Sequence, residues 1–177
     1  HLNQEGLLAQ TGRLLDYGCG KGAFVSAFST LRPDWQLVGT DIDEANRLSV
    51  EAIANTTYVA AADGTVSGDY DLITLSHVLE HLVDPLGTMQ SFINHLRPDG
   101  YVFIQVPNLA TNPFDLGVVD HCHHFTPDTL KWLIQQAGFS VIVCSTDWVK
   151  KEISMVAKVG NERKPLSQEW PLRAIDV

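Results

Sequence analysis

The 177-residue chain predicts an α/β domain built on a seven-stranded, mostly parallel sheet. Apolar, β-rich runs alternate with helical patterns almost without interruption from Arg13 to Gly160. Strands joined through helices lie parallel, because parallel neighbours require a crossover. Only Asp147–Lys150 separate the last two apolar runs. That gap closes a hairpin but holds no helix, so the final strand is expected to run antiparallel to its predecessor. A chain of this length buries roughly 70% of its unfolded surface as one domain, so it needs neither disulfide nor metal to fold.

RLLDYG (13–18) reads as the first strand, GAFVSAFSTL (22–31) as a helix, and WQLVGTD (35–41) as a second strand after the Pro33-Asp34 turn. A helix over 43–54, a third strand over 56–61 and a fourth over 70–78 follow. Asp84-Pro85 pairs an N-cap with proline at the first helical position, which predicts a helix from about 85 to 96. Arg97-Pro98-Asp99-Gly100 reads as a turn before the fifth strand, 101–108. Thr126-Pro127 repeats the cap signal for a helix that ends at Gly138, a good residue just past a helix. The hairpin strands are 139–146 and 151–160. The domain is therefore expected over 13–160, with residues 1–12 as a lead-in that could be the remnant of a lid helix and 161–177 as a tail or linker.

Composition narrows the function classes. Twelve Lys and Arg against 21 Asp and Glu give a net charge of −9, without a basic cluster. Tight binding to a nucleic-acid backbone is disfavoured, because that affinity comes largely from cations displacing condensed counterions. The three cysteines, Cys19, Cys122 and Cys144, are odd in number and lack a C-x-x-C pair. This argues against a disulfide scaffold and leads us to expect a reducing, cytoplasmic setting. No window approaches the ~20 apolar residues of a membrane span, and the first residues lack the features of a signal peptide.

The glycine-rich turn DYGCGKGA (16–23) joins the first strand to the first helix, at the edge where open α/β sheets bind ligands. Gly18-x-Gly20-x-x-Ala23 also satisfies a loose dinucleotide fingerprint, with Asp41 placed to meet a ribose. Asp16 separates the readings. A carboxylate two residues before the first glycine repels a pyrophosphate but welcomes a ligand with an ammonium and a sulfonium. Asp41 can accept two hydrogen bonds from a ribose diol, or serve simply as a turn or capping residue. Asp63-Gly64 can accept from an adenine amino group, or form an ordinary turn. Ser76 ends the fourth strand on the same edge.

Together LLDYGCGKGAF, VGTDID, AADG, YDLITLSHVLEHLVDP, LRPDGYVFIQVPN and HHFTPDTLKWLIQQAGF resemble the class I S-adenosylmethionine-dependent methyltransferases. The resemblance covers residues 7 to 160. It implies a Rossmann-like sheet of order 3-2-1-4-5-7-6, with helices on both faces and S-adenosyl-L-methionine as cofactor. It further implies that the loop containing Asp16, Gly18, Cys19 and Gly20 holds the methionine end. Asp41 and Ile42 would then meet the ribose and adenine, Asp63 and Gly64 the adenine, and Ser76 the sulfonium region. The implied activity is methyl transfer to an oxygen or nitrogen of a small-molecule or sugar-like acceptor. An NAD(P)-binding oxidoreductase and a non-catalytic cofactor-binding domain are the alternatives.

Histidines cluster at the same edge. His77 and His81 flank Glu80, and a helical turn there would put both rings on one face. His121, His123 and His124 crowd the loop 109–125. His-x-x-Glu-His is also an inverted zinc-peptidase motif, which we reject because it follows a buried strand inside a methyltransferase pattern. Small-RNA 3′-terminal 2′-O-methyltransferases are similar here, and their resemblance implies a magnesium site whose ligands Glu80, His81 and His121 would match, with His77 replacing a glutamate. The commoner resemblance, to bacterial small-molecule and envelope-sugar methyltransferases, implies no metal, and none is expected. The histidines are then loop fasteners, substrate ligands or general bases. His77 is the first candidate base, followed by His121 and His124, since imidazole titrates near neutrality.

Overall fold

The computed structural model describes residues 6–60 and 67–160. Seven strands form one sheet in the order β3-β2-β1-β4-β5-β7-β6, with β1 Arg13–Tyr17, β2 Gln36–Asp41, β3 Thr56–Ala60, β4 Tyr70–Ser76, β5 Leu96–Pro107, β6 Phe139–Ser145 and β7 Glu152–Val159. Neighbours from β3 through β5 pair in parallel, whereas β7 runs antiparallel to both β5 and β6. The reversed last strand and the implied order are both present.

The helices are α1 Ala23–Leu31, α2 Arg47–Glu51, α3 Pro85–Phe92 and α4 Pro127–Gln136. Asp84 caps α3 by accepting from the Gly87 N–H, and Thr126 and Thr129 form a reciprocal capping box on α4. Gly138 then takes φ +98°, where a side chain would be strained, and turns the chain into β6. Two apolar clusters cover the sheet. Met89, Phe92, Leu130 and Ile134 pack on one face against Ile73, Ile104 and Met155. On the other, Val25, Phe28 and Val50 pack with Trp35, Leu72 and Phe103.

Three boundaries differ from expectation. The helix expected over 43–54 is a 3-10 turn, Glu44–Asn46, followed by the five-residue α2. Asp43 rather than Asp41 is the cap, its side chain accepting from the Ala45 N–H. The helix expected to reach 96 stops at Phe92, because the His95 carbonyl accepts the Tyr70 N–H and draws the chain into the sheet. The turn at 97–100 lies inside β5 as an irregularity: Tyr70 pairs with Leu96 and Leu72 with Tyr101. Arg97 Nη1 on the bulge reaches Asp71 Oδ2 at 2.7 Å. Among the described residues no helix is long and apolar enough to cross a membrane.

Candidate active site

The C-terminal ends of β1, β2 and β4 converge on the glycine-rich turn. Gly18 and Cys19 both donate their N–H groups to the Thr40 carbonyl, at 2.8 and 2.9 Å. Gly18 sits at φ +75°, and a Cβ there would run into the Val78 side chain. Glycine is thus required twice over, by backbone and by space. Cys19 is buried, with its thiol against Gly39, and burial pushes its pKa up to about 12. It remains a neutral packing thiol, so its part in the loop is played by its backbone.

Asp16 is 2% exposed and accepts a 2.6 Å bond from the Thr74 hydroxyl. Burial pushes its pKa up to about 6, the Thr74 bond opposing and the Asp41 charge adding to the rise. Asp41 Oδ2 accepts the Gly20 N–H at 2.7 Å and Oδ1 the Asp43 N–H at 2.9 Å. Asn46 Nδ2 also reaches Oδ1, at 3.5 Å, so of the about four lone-pair positions of a carboxylate one is left clear and another holds only this long contact. Ile42 beside it is 93% exposed, as an apolar platform for a flat ring would be. A cleft of about 430 Å³ runs from Gly18, Asp41 and Ile42 to His77 and His81. Ser76 ends β4 opposite Gln105. Asp63 and Gly64 lie outside the described residues.

His77 departs from the expected helical turn. Its φ is +56°, and the 3-10 turn begins only at Leu79, so His77 and His81 do not share a helix face. The left-handed backbone, rare for a side chain larger than glycine, turns the imidazole across the end of β5. Nδ1 lies 3.3 Å from Glu80 Oε1 and Nε2 3.5 Å from Glu152 Oε2. The Glu80 carboxylate raises the His77 pKa, burial opposes this, and Glu152 adds to it. Burial raises the Glu152 pKa in turn, with the His77 charge opposing.

The other two candidate bases are held elsewhere. Asp115, 3% exposed, places Oδ1 2.7 Å from His121 Nδ1 and Oδ2 2.7 Å from His124 Nδ1. One carboxylate thus clamps both rings and fixes their Nδ1–H tautomers. The loop is closed at its base by the Leu109 N–H on the Phe125 carbonyl, and tied to the β4 end by the His123 N–H on the Glu80 carbonyl. His81 Nδ1 sits 3.0 Å from the Asp120 carbonyl oxygen, its ring edge-on to His121 at 4.7 Å. Glu80, His81 and His121 each bring a ligand atom within 4.8 Å of the others. Glu80 is 1% exposed, and neither carboxylate oxygen has a hydrogen-bond partner.

Asp115 and Glu152 are absent from the sequence reading. Asp115 could have been found as an acid two residues past Pro113 in a histidine-rich loop. Glu152, at the start of a reversed strand, carries no local signal.

A family described as methyltransferase domain matches residues 2–143 of the chain. The chain belongs to the S-adenosylmethionine-dependent methyltransferases. It is 27% identical over 187 aligned positions to the ubiquinone biosynthesis O-methyltransferase of Dinoroseobacter shibae, covering 93% of this chain and 69% of that protein. To the protein of that name from Vibrio cholerae it is 31% identical over 116 positions, covering 60% of this chain and 46% of the relative. The chain thus spans about half the length of the latter. A crystal structure of a SAM-dependent methyltransferase from Methanosarcina mazei shares the fold at a TM-score of 0.71 and 15% identity, covering 92% of this chain and 99% of that one. The methyltransferase family uses S-adenosylmethionine, so the glycine-rich turn belongs to a methyl-donor fold.

Proposed function

We propose that this methyltransferase transfers the S-adenosylmethionine methyl group to a hydroxyl oxygen of a small-molecule acceptor, with His77 as general base. The observation that carries the reading is the His77 imidazole held between Glu80 and Glu152 just past β4. O-methylation also agrees with the names of the relatives. The backbone of Gly18, Cys19 and Gly20, with the Asp16 carboxylate, would receive the methionine end. Asp41 would take the ribose diol, Ile42 one face of the adenine, Ser76 the sulfonium region, and Asp63 and Gly64 the adenine edge.

S-Adenosylmethionine held there would supply the methyl group and leave as S-adenosylhomocysteine, its sulfur keeping the C–S electron pair, while His77 would take the proton of the acceptor hydroxyl that gains the methyl. Holding the nucleophile near 3 Å supplies much of the acceleration, and the base contributes about 10²–10⁴-fold. His121 and His124, clamped through Nδ1, position the loop beside the acceptor.

The test uses labelled S-adenosylmethionine with matched alcohol, phenol and amine acceptors. Transfer to a hydroxyl acceptor, reduced about 100-fold or more by His77→Ala with unchanged cofactor affinity, supports the reading. Transfer to amines alone, or an unchanged rate in the variant, overturns it.

The buried Glu80 carboxylate, which has only its ion-pair contact with His77 and no hydrogen bond of good geometry, favours a second reading, a divalent cation at Glu80, His81 and His121. A buried carboxylate with two imidazoles suits zinc, manganese or iron, and Asp115 behind His121 would fix that ligand's tautomer. Such an ion would polarise an acceptor hydroxyl. Activity lost to EDTA and restored by Mn²⁺ would establish it, and indifference to both would eliminate it.

A further inference from the structure

Among the described residues Asp16 is the one carboxylate buried inside a strand, on β1 just before the glycine-rich turn. Its partners in register are Gly39 on β2 and Thr74 on β4. Gly39 brings no side chain, so of these two partners only Thr74 can hold the carboxyl group. Thr74 is fully buried, and its hydroxyl meets Asp16 Oδ1 at 2.6 Å. That length belongs to a hydroxyl donating to an ionised carboxylate.

The same hydroxyl oxygen lies 3.3 Å from the Leu15 carbonyl oxygen. A hydroxyl has one hydrogen and two lone pairs, so it can serve these two neighbours in either of two ways. With Asp16 ionised, the hydrogen points to Oδ1. With Asp16 protonated, the carboxyl O–H donates to Thr74 Oγ1 and the Thr74 hydrogen turns to the Leu15 carbonyl. Both protonation states are therefore hydrogen-bonded, and the surrounding charges decide between them. Burial opposes ionisation, the Thr74 bond favours it, and the Asp41 charge at the end of β2 opposes it again. From the turn, the Cys19 thiol faces the carboxyl and stays neutral at pH 7. A cation beside Asp16 would tip the pair to the ionised state, and the ammonium of S-adenosylmethionine is such a cation.

We propose that Thr74 is a positioning residue for the methyl donor, orienting Asp16 and keeping it ionised, so that cofactor binding is coupled to release of the Asp16 proton. The coupling rests on the reading in which Asp16 receives the methionine end. The proton leaves to solvent, the ammonium supplies the neutralising charge in its place, and the hydroxyl hydrogen turns from Leu15 to Oδ1. Acid thus withholds the cofactor by neutralising the group that receives it.

The probes are S-adenosylhomocysteine, which carries the ammonium, and methylthioadenosine, which keeps the nucleoside and the sulfur but lacks it. Calorimetric titrations from pH 5 to 7.5, in pairs of buffers of different ionisation enthalpy, read affinity and protons released together. With Asp16 titrating at about 6 in the free protein, S-adenosylhomocysteine is expected to bind about tenfold more weakly at pH 5 than at pH 7.5. It should also release about half a proton per molecule bound at pH 6. Methylthioadenosine affinity should stay flat, which separates Asp16 from His77 and His81 of the same cleft. Thr74→Val and Thr74→Ala, which remove the hydroxyl with and without keeping the volume, should each move the midpoint up by about one pH unit. Thr74→Ser should return it to the wild-type position. Binding of S-adenosylhomocysteine that is flat with pH, profiles that run parallel for the two probes, or a midpoint unmoved in the folded valine or alanine variant overturns the proposal while leaving the methyl-transfer reading intact. No binding of S-adenosylhomocysteine at pH 7.5 would instead sink the placement of the cofactor, and the coupling with it.

Discussion

His77 Nε2 lies 3.5 Å from Glu152 Oε2, across the end of β5, joining two residues 75 positions apart in the sequence. Glu152 adds to the rise that Glu80 gives the His77 pKa. Removing the Glu152 charge therefore lowers that pKa, and the ascending limb of the pH–rate profile moves to lower pH. Glu152→Gln is expected to shift the limb in that direction and reduce the plateau rate several-fold, because a weaker base drives proton removal less strongly. A pH–kcat series on wild type and variant checks this, with KM for S-adenosylmethionine expected to stay constant.

Asp16 gives a prediction about stability with the opposite sign from an ordinary carboxylate. Its folded-state pKa of about 6 exceeds the model-compound value of 3.8. The folded state therefore holds the proton more tightly than the unfolded chain. Its contribution to stability falls as pH rises between about 4 and 6, and at pH 7 the penalty is complete, about 3 kcal/mol. Asp16→Asn, which keeps an oxygen for the Thr74 hydroxyl, should raise the melting temperature at pH 7 and have little effect at pH 4. The same variant should weaken S-adenosylmethionine binding at least tenfold if the carboxylate meets the ammonium. Thermal melts at both pH values and a cofactor titration read the two effects separately.

The contact of Gly18 with Val78 predicts a rescue. Gly18→Ala places a methyl into the Val78 side chain at a positive φ, and should cost about 1–3 kcal/mol by overpacking and strain. Val78→Ala in the same chain removes the clash but leaves the strained backbone. The double variant should recover part of the stability lost, and denaturant midpoints for the three variants measure that fraction.

What the sequence made legible follows from how local each signal is. The reversed β7 could be read because four residues are too few for a crossover, and α4 because Thr126-Pro127 and Gly138 mark its ends. The end of α3 could not, since it is set by the pairing of His95 with Tyr70 from another strand. The same holds at the site. Gly18, Gly20 and Asp41 announce themselves in a short motif, and the structure brings them together. The grouping of His77 with Glu152 and of His121 with His124 depends on the β5–β7 pairing and on a buried acid in an irregular loop. The first has no period or spacing to betray it, and the second only an acid two residues past Pro113 in a histidine-rich loop.

Asp115 accepts from two imidazoles with one carboxylate, so its loss should be felt by both together. Asp115→Ala strands His121 and His124 at 11% and 25% side-chain exposure, and a buried group left unpaired costs about 1–3 kcal/mol. The expected fall in melting temperature is on the order of 5–10 °C for a domain of this size. Faster proteolysis within the 109–125 loop should accompany it, because Phe114 and Val119 there are already 83% and 101% exposed. Since the two rings share one acceptor, their substitutions should not be additive. His121→Ala and His124→Ala combined should cost less than the sum of the singles, because the second removal acts on a clamp already half undone. A double-mutant cycle read by chemical denaturation decides it, and strict additivity would mean that each ring is held by contacts other than Asp115.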